Sequence, residues 1–500
     1  MMSDRILSGY EPANVWKYFE EICGIPHGSS NIRAISDWLA ATAREHGLKY
    51  VQEPCGNVII YADATPGYEN EPAIALQGHM DMVAVKDPDC DIDMEKDGLS
   101  LFIEDGFLGA RGTTLGGDDG IAIAYGLAIL TDPSIPHPAL TLVATVNEET
   151  GMDGAIAMDP AVLSARRLIN LDSEDEGEFI AGCAGGATLR LRMPLTRCGE
   201  DAELYEITLD GLQGGHSGSE IDKNRSNAIL LLARVIRDLK KQGVKLVSIN
   251  GGTKDNAIPN AAAAVVTAAG GKAPDITAVT AELKNALAGK EDGLRITVKK
   301  CDGKGCLAEE NGRQPDGAAQ GGAAGNASVL TAECEEKLLN LLNLLPYGPA
   351  AMSTLPGLVE TSDNVGIISV TDNLAEIAVS VRSLIESEKQ RLIDQISLLA
   401  ELLGASVSRN SEYPGWQYRT ESPIRDKAVG AFADLYGCEP KVRAIHAGLE
   451  CGLLIDKIPD LDAISMGPQM HDVHTTKERL SIESVRNTWE LLLHILAKKD

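Results

Sequence analysis

Three short apolar runs in the first third of the chain each end in a cluster of acids or histidine, and this recurring join limits the fold more than any other feature. Ala73 to Leu76, Leu140 to Val146 and Leu168 to Leu171 lead into Gln-Gly-His79-Met-Asp81, Asn-Glu148-Glu149 and Asp172-Ser-Glu. Short continuous apolar runs read as strands buried on both faces, and open α/β sheets place their sites just beyond the carboxyl ends of such strands. Around them, Val15 to Cys23, Ile32 to His46 and Ile121 to Leu130 read as helices, and Asn57 to Tyr61 as a further strand. The alternation predicts an α/β fold with a mostly parallel sheet and helices on both faces.

A chain of 500 residues exceeds what one hydrophobic core organises. Near Gly185 the texture changes to strands with two patterned faces and longer amphipathic helices, at Asn227 to Lys241, Ile276 to Leu287, Glu335 to Leu345 and Glu388 to Leu403. A strand-helix-strand rhythm runs about twice before Tyr413, hinting at a duplicated α+β unit, although no sequence repeat is visible. After Tyr413-Pro414-Gly415 the α/β pattern resumes, with a helix at Arg425 to Leu435 and a strand at Ala463 to Ser465. We therefore expect an α+β domain over residues 185–411 inserted into a discontinuous one made of 1–184 and 412–500. Gln314 to Ala327, rich in Gly and Ala, reads as a surface loop.

The formal net charge of -28, with no compensating basic patch, disfavours nucleic acid and anionic membranes as partners. No run approaches the ~20 apolar residues of a membrane span, and the first residues lack a basic segment followed by an apolar core. The expectation is a soluble, cytoplasmic protein. Its ten cysteines form no disulfide framework, so reduced thiols are expected, with Cys301 and Cys306 a coincidental loop pair.

Zinc-type ions favour imidazole nitrogen and carboxylate oxygen, and a pair of them needs a bridging carboxylate. His79 at a strand end is one such donor, with Asp81 placed to hold its other ring nitrogen. The glycine-rich turn Gly112 to Gly120 carries Asp118 and Asp119 at a helix start, where two acids repel phosphate and attract a cation, though an N-cap is the plainer use. Adjacent side chains Glu148 and Glu149 diverge, so one can ligate while the other moves a proton; a solvated strand-end pair is the alternative. Asp172 opens an acidic run, and His471 and His474 compete for one role in the loop after Gly467-Pro468.

Assembled in order, Leu76-Gln-Gly-His-Met-Asp-Met-Val83, Gly112-Thr-Thr-Leu-Gly-Gly-Asp-Asp-Gly120, Asn147-Glu-Glu-Thr-Gly151, Gly211-Leu-Gln-Gly-Gly-His-Ser-Gly218, Ile445-His-Ala-Gly-Leu-Glu-Cys-Gly452 and Ser465-Met-Gly-Pro468 with His474 resemble the aminoacylase/carnosinase-type co-catalytic metallopeptidases. The resemblance runs through nearly the whole chain and, within that family, is to dipeptidases acting on Xaa-His and related dipeptides. It implies two divalent metal ions, zinc first with manganese or cobalt as alternatives. Asp118 would bridge them, His79 and Asp172 would complete one site, and Glu149 and His474 the other. His474 is preferred to His471 because it stands just before the Thr-Thr-Lys-Glu-Arg-Leu stretch. The resemblance further implies Glu148 as general base, Asp81 orienting His79, and an inserted lid and dimerisation domain. His216 of that domain would stabilise the tetrahedral intermediate, and Arg382 would meet the substrate carboxylate; a surface ion pair is the plainer reading of Arg382. One departure is Asp119, where family members usually carry Asn.

Three other functions fit parts of the pattern. An N-acyl amino acid deacylase or tripeptidase uses the same ligands on other substrates; a metal-binding scaffold keeps the fold without turnover. A nucleotide-binding protein would use the glycine turn but is opposed by its acids.

Overall fold

The computed structural model describes residues 5–268, 272–301 and 327–500. The chain divides into two compact units: one runs to Cys183 and adds Trp416–Ala444 and Leu449–Asp500, and the other comprises Ala184–Gly415 and Ile445–Gly448.

The first unit is built on an eight-stranded sheet in the order Lys49–Gln52, Val58–Ala62, Leu140–Thr145, Ile74–His79, Arg167–Asn170, Asp462–Ser465, Glu178–Cys183 and Lys441–Ile445. Leu140–Thr145, Ile74–His79, Arg167–Asn170 and Asp462–Ser465 are parallel, whereas Lys49–Gln52 with Val58–Ala62, Val58–Ala62 with Leu140–Thr145, and Asp462–Ser465 with Glu178–Cys183 pair antiparallel. Ile74–His79 and Leu140–Thr145 are buried along their whole length, as their unbroken apolar pattern demands. Their register sets His79 opposite Thr145, so both strands stop level and release their polar clusters at one edge.

Beside this edge packs the helix Gly117–Leu130, buried at every position. A helix apolar on all sides has no solvent face to offer, and this one packs closely on the sheet through its glycines. A Cβ on Gly126 would lie 2.5 Å from Leu142 Cδ1. The apolar core gathers around it, with Phe19, Ile22, Leu76 and Leu142 among its members.

The second unit holds a sheet that is two copies of one design. Leu204–Asp210, Ala228–Leu239, Lys245–Gly251, Ala262–Thr267, Thr277–Ala286 and Arg295–Lys300 form a βαββαβ unit whose strands lie in the order fourth, first, third, second. Gly185–Pro194, Ala332–Leu344, Val359–Val370, Leu374–Ser383, Glu386–Leu402 and Ser406–Tyr413 repeat that topology. The halves join edge to edge through their second strands at Gly251 and Ile368. The first half is inserted in the second after its opening strand, and the ribbon of Arg197–Glu200 with Ala327–Leu330 marks the junction. The duplication hinted at by the strand-helix-strand rhythm is thus a nested one.

Among the described residues eight cysteines are free, but Cys301 is disulfide-bonded, which corrects the expectation of reduced thiols throughout. Cys306 and, except for Ala327, the Gly/Ala-rich loop at 314–327 lie outside the described residues. Among the described residues no helix is long and apolar enough to cross a membrane.

Candidate metal centre

His79 is the last residue of its strand and is 1% exposed. Its Nδ1 lies 2.9 Å from the backbone carbonyl of Asp81, and donating there leaves Nε2 turned to Asp118 Oδ1 at 3.0 Å and Asp172 Oδ1 at 3.7 Å. The ring is therefore oriented by the Asp81 carbonyl rather than by its carboxylate, whose Oδ1 is 3.6 Å from Nδ1. That carboxylate has other work: it accepts the backbone N–H of Glu148 at 3.0 Å and the Ser29 hydroxyl at 2.9 Å.

Asp118 enters from the start of the buried helix, where it and Asp119 have non-helical backbone angles and share a cis peptide bond. Its Oδ1 faces His79 while Oδ2 lies 3.1 Å from His474 Nε2. His474 Nε2 is also 2.9 Å from Glu149 Oε1, an oxygen that is buried yet has no bond of hydrogen-bond geometry. Two triads result, His79–Asp118–Asp172 and Asp118–Glu149–His474, each able to converge on one ion, and they share Asp118. Glu148 joins His79 and Glu149 in a third such group. His471 is elsewhere, its ring against Phe107.

The ligand-bearing turns are held in uncommon backbone conformations. Asn147, just before Glu148, has φ 54° and His474 has φ 63°. Non-glycine residues persist there only when their surroundings fix them. The Asn147 side chain accepts the Ser30 N–H at 2.7 Å, which secures its turn.

The electrostatics demand positive charge. Among the described residues no Lys or Arg pairs with Asp81, Asp118, Asp119, Glu148, Glu149 or Asp172. Burial pushes Glu148 up to about 8, opposed by His79 and reinforced by Glu450, Glu149 and Asp118. Burial likewise holds Asp172 well above the carboxylate range, with Asp119 and Asp118 adding to it. For His79 burial acts downward, but the Asp118 hydrogen bond and the charge of Asp172 leave it well raised. Hydrogen bonds to Asp118 and Glu149 lift His474 to about 11. Burial would raise Asp118, yet its hydrogen bonds to His474 and His79 hold it below the ordinary range. Imidazole and carboxylate donors in two triads that share Asp118, with excess buried acid around them, fit a pair of divalent cations.

Three buried acids around this centre serve it without belonging to a triad. Glu478 accepts the backbone N–H groups of Leu115, Gly116 and Gly117 at 2.8, 3.2 and 2.8 Å, so the segment that carries His474 also fastens the turn that presents Asp118. Glu450 accepts from Gln77 and Thr145, both at 2.6 Å, at the ends of the strands bearing His79 and Glu148. Asp119 is fully buried and raised well above the usual range by burial; its Oδ2 accepts the His79 N–H at 3.3 Å. Burial thus favours the protonated form of this acid beneath the strand end. Only Asp119 was visible as a candidate from local pattern, since Glu478 and Glu450 act on groups more than 300 residues away.

The second unit holds the remaining two predicted residues. His216 pairs across a short ribbon with Ala257, and its Nδ1 accepts the N–H groups of Gly218 and Ser219 at 3.2 and 3.0 Å. Those bonds place the ring's proton on Nε2, making that edge a donor. Arg382 lies on Leu374–Ser383 and donates from Nη1 to Tyr413 Oη at 2.8 Å, with no carboxylate paired to it among the described residues.

A model of peptidase family M20/M25/M40 matches residues 75–498. The chain is 37% identical over 498 residues to cytosol non-specific dipeptidase of Escherichia coli (strain K12), covering 98% of each. Its structure matches that of aminoacylhistidine dipeptidase from Vibrio alginolyticus with a TM-score of 0.82 and 33% identity, over 100% of this chain and 99% of that one. The fold alone extends to aminopeptidase PepT from Bacillus cereus ATCC 10987, with a TM-score of 0.56 and 16% identity over 98% of both chains. The chain belongs to peptidase family M20/M25/M40.

Proposed function

We propose that the protein hydrolyses dipeptides, Xaa-His among them, at a two-metal centre held by His79, Asp118, Glu149, Asp172 and His474. The observation that carries this reading is the split use of Asp118, whose two oxygens face two histidines in two separate triads. Two divalent cations there, zinc before manganese or cobalt, would supply a water of near-neutral pKa and polarise the scissile carbonyl. Glu148, held by Asp81 through its backbone N–H, takes a proton from the attacking water and returns it to the leaving amine. His216 Nε2–H donates to the oxygen on which charge develops. Arg382 pairs with the substrate's carboxylate.

The inserted domain serves as the lid and as the contact of a homodimer, and the cytoplasm is the site of action. The dipeptidase activity of the two relatives that match along the whole chain supports this reading over a scaffold. An N-acyl amino acid deacylase or tripeptidase would share every ligand. Metal content measured beside hydrolysis of a panel of Xaa-His and other dipeptides, tripeptides and acetylated amino acids decides among them. Two metals per chain with dipeptides preferred is the expected result; turnover confined to acetylated amino acids, or none with metal bound, would overturn it.

A further inference from the structure

In the second unit, the loop that carries His216 is closed at its base by one buried acid. Glu291, 3% exposed, accepts the backbone N–H groups of Gln213 at 2.9 Å and Ser226 at 2.7 Å, which ties the two ends of the segment 213–226 together. Hydrogen bonds to an ionised carboxylate are stronger than neutral ones, so the ends are firmly set. The conformation between them is left to the loop's own side chains.

Glu220 governs that conformation. Its Oε2 accepts the backbone N–H of His216 at 2.9 Å, while its Oε1 lies 2.7 Å from Lys223 Nζ and 2.9 Å from Arg225 Nη2. Arg225 also donates from Nη1 to the Gly214 carbonyl, and its own carbonyl accepts the Tyr347 hydroxyl. Tyr347 packs in turn against the buried group of Ile221, Ile258 and Val359. The hydrogen bond from Lys223 and that from the His216 N–H hold the Glu220 carboxyl down to about 2, so it is ionised at working pH.

The residues before the histidine make room for this brace. Gly215 has φ 141°, and a Cβ there would collide with Arg225 Nη1 and lie 2.7 Å from Glu220 Oε2. A side chain at that position would push the ion pair away from the loop. On the far side of His216, the N–H groups of Gly218 and Ser219 hold the ring through Nδ1. With the backbone gripped by Glu220 and the ring by these two donors, the direction of the Nε2–H bond is set before any substrate arrives.

We propose that Glu220 is a positioning residue for peptide hydrolysis: braced by Lys223 and Arg225, its carboxylate fixes the His216 N–H and so aims the Nε2–H donor, a role that rests on the reading of His216 above. A donor already aimed needs no reorganisation when charge develops on the substrate oxygen. Its benefit therefore falls on the transition state rather than on ground-state binding.

The test measures kcat and KM for a dipeptide on the metal-loaded enzyme, with Glu220 changed alone and together with His216→Ala. His216→Ala by itself is expected to lower kcat about 10²–10³-fold, as loss of one such donor does. Glu220→Ala should lower kcat about tenfold to a hundredfold with KM within about twofold and metal content unchanged, since a misplacement of about 1 Å costs about 10²-fold. Glu220→Gln, whose amide oxygen can accept the same N–H, should stay within about threefold of the parent. Glu220→Asp keeps the charge but is too short to reach, so it should lose as much as the alanine variant, and it carries the comparison if that variant does not fold. In the His216→Ala background Glu220→Asp should cause no further loss, because both changes remove one donor. A parent-like kcat in Glu220→Asp, an equal loss in Glu220→Gln, or the same loss with and without His216 overturns the role of Glu220 and leaves that of His216 standing. A parent-like kcat in His216→Ala overturns the reading of His216 itself, and Glu220 falls with it.

Discussion

At the residue scale the centre depends on where single atoms point. Glu148 is buried among acids, which raises it to about 8 in the metal-free chain; cations beside it would pull it back toward the ordinary carboxylate value. A general base must be ionised, so kcat/KM should rise with pH along an acid limb whose midpoint falls below 8 once metal is bound. Glu148→Gln should flatten that limb and lower kcat by about 10²–10⁴-fold while metal content stays unchanged. Turnover near the parent level in that variant would refute the assignment. Gly78 is equally exacting: a Cβ there would lie 2.3 Å from Asp119 Oδ2 and 2.4 Å from Ala122 Cβ. Gly78→Ala should cost about 1–3 kcal/mol in denaturant unfolding and reduce bound metal, since the displaced helix carries Asp118. A variant with full metal content and parent stability would show that the strand end has slack. His79, Glu148 and Asp172 were legible because each follows an apolar strand within a few residues. Glu450 shows no role of its own in the sequence, because its partners Gln77 and Thr145 come from distant sequence and leave no local pattern.

At the scale of elements, the decisive device is the strut between the segment after His474 and the turn before Asp118. Glu478 satisfies three backbone N–H groups that open the buried helix, at a position only 4% exposed. Glu478→Ala would strand those donors, so a loss of about 1–3 kcal/mol in stability is expected. Because the same turn aims Asp118, metal affinity should fall about 10–100-fold, as for other residues that orient ligands. Calorimetric metal titration and thermal melting of the variant read both effects, and an unaltered affinity would detach Glu478 from the centre. The sequence stretch Thr475 to Leu480 served only to choose His474 over His471; its physical reason is that one loop supplies a ligand and the clamp on the bridging acid. In the second unit the helices and their rhythm could be read, since each is long and amphipathic. The nesting could not, because strands separated by an entire βαββαβ unit pair only in three dimensions.

Across the whole molecule the formal charge is -28, and among the described residues no Lys or Arg pairs with the buried cluster of acids. In the metal-free chain Glu148, Asp172 and Asp119 sit above their unfolded values, chiefly through burial. His474 is lifted by its carboxylate partners and His79 by Asp118 and Asp172 against burial. All of these groups therefore hold more protons folded than unfolded, so their contribution is full below the unfolded values and is lost as pH rises through the folded ones. For Glu148 that window runs from 4.5 to about 8, and for His474 from 6.5 to about 11. Asp118 is shifted the other way, but its window lies below 3.8. The metal-free protein should accordingly melt at lower temperature as pH is raised from about 5 to about 9. Divalent cations bind the deprotonated ligands, so their stabilising effect should grow over the same range. Melting curves of chelator-treated and zinc-loaded protein at stepped pH should show the gap between them widening. A gap that stays constant, or narrows toward alkaline pH, would mean that the buried acids are neutralised by something other than metal.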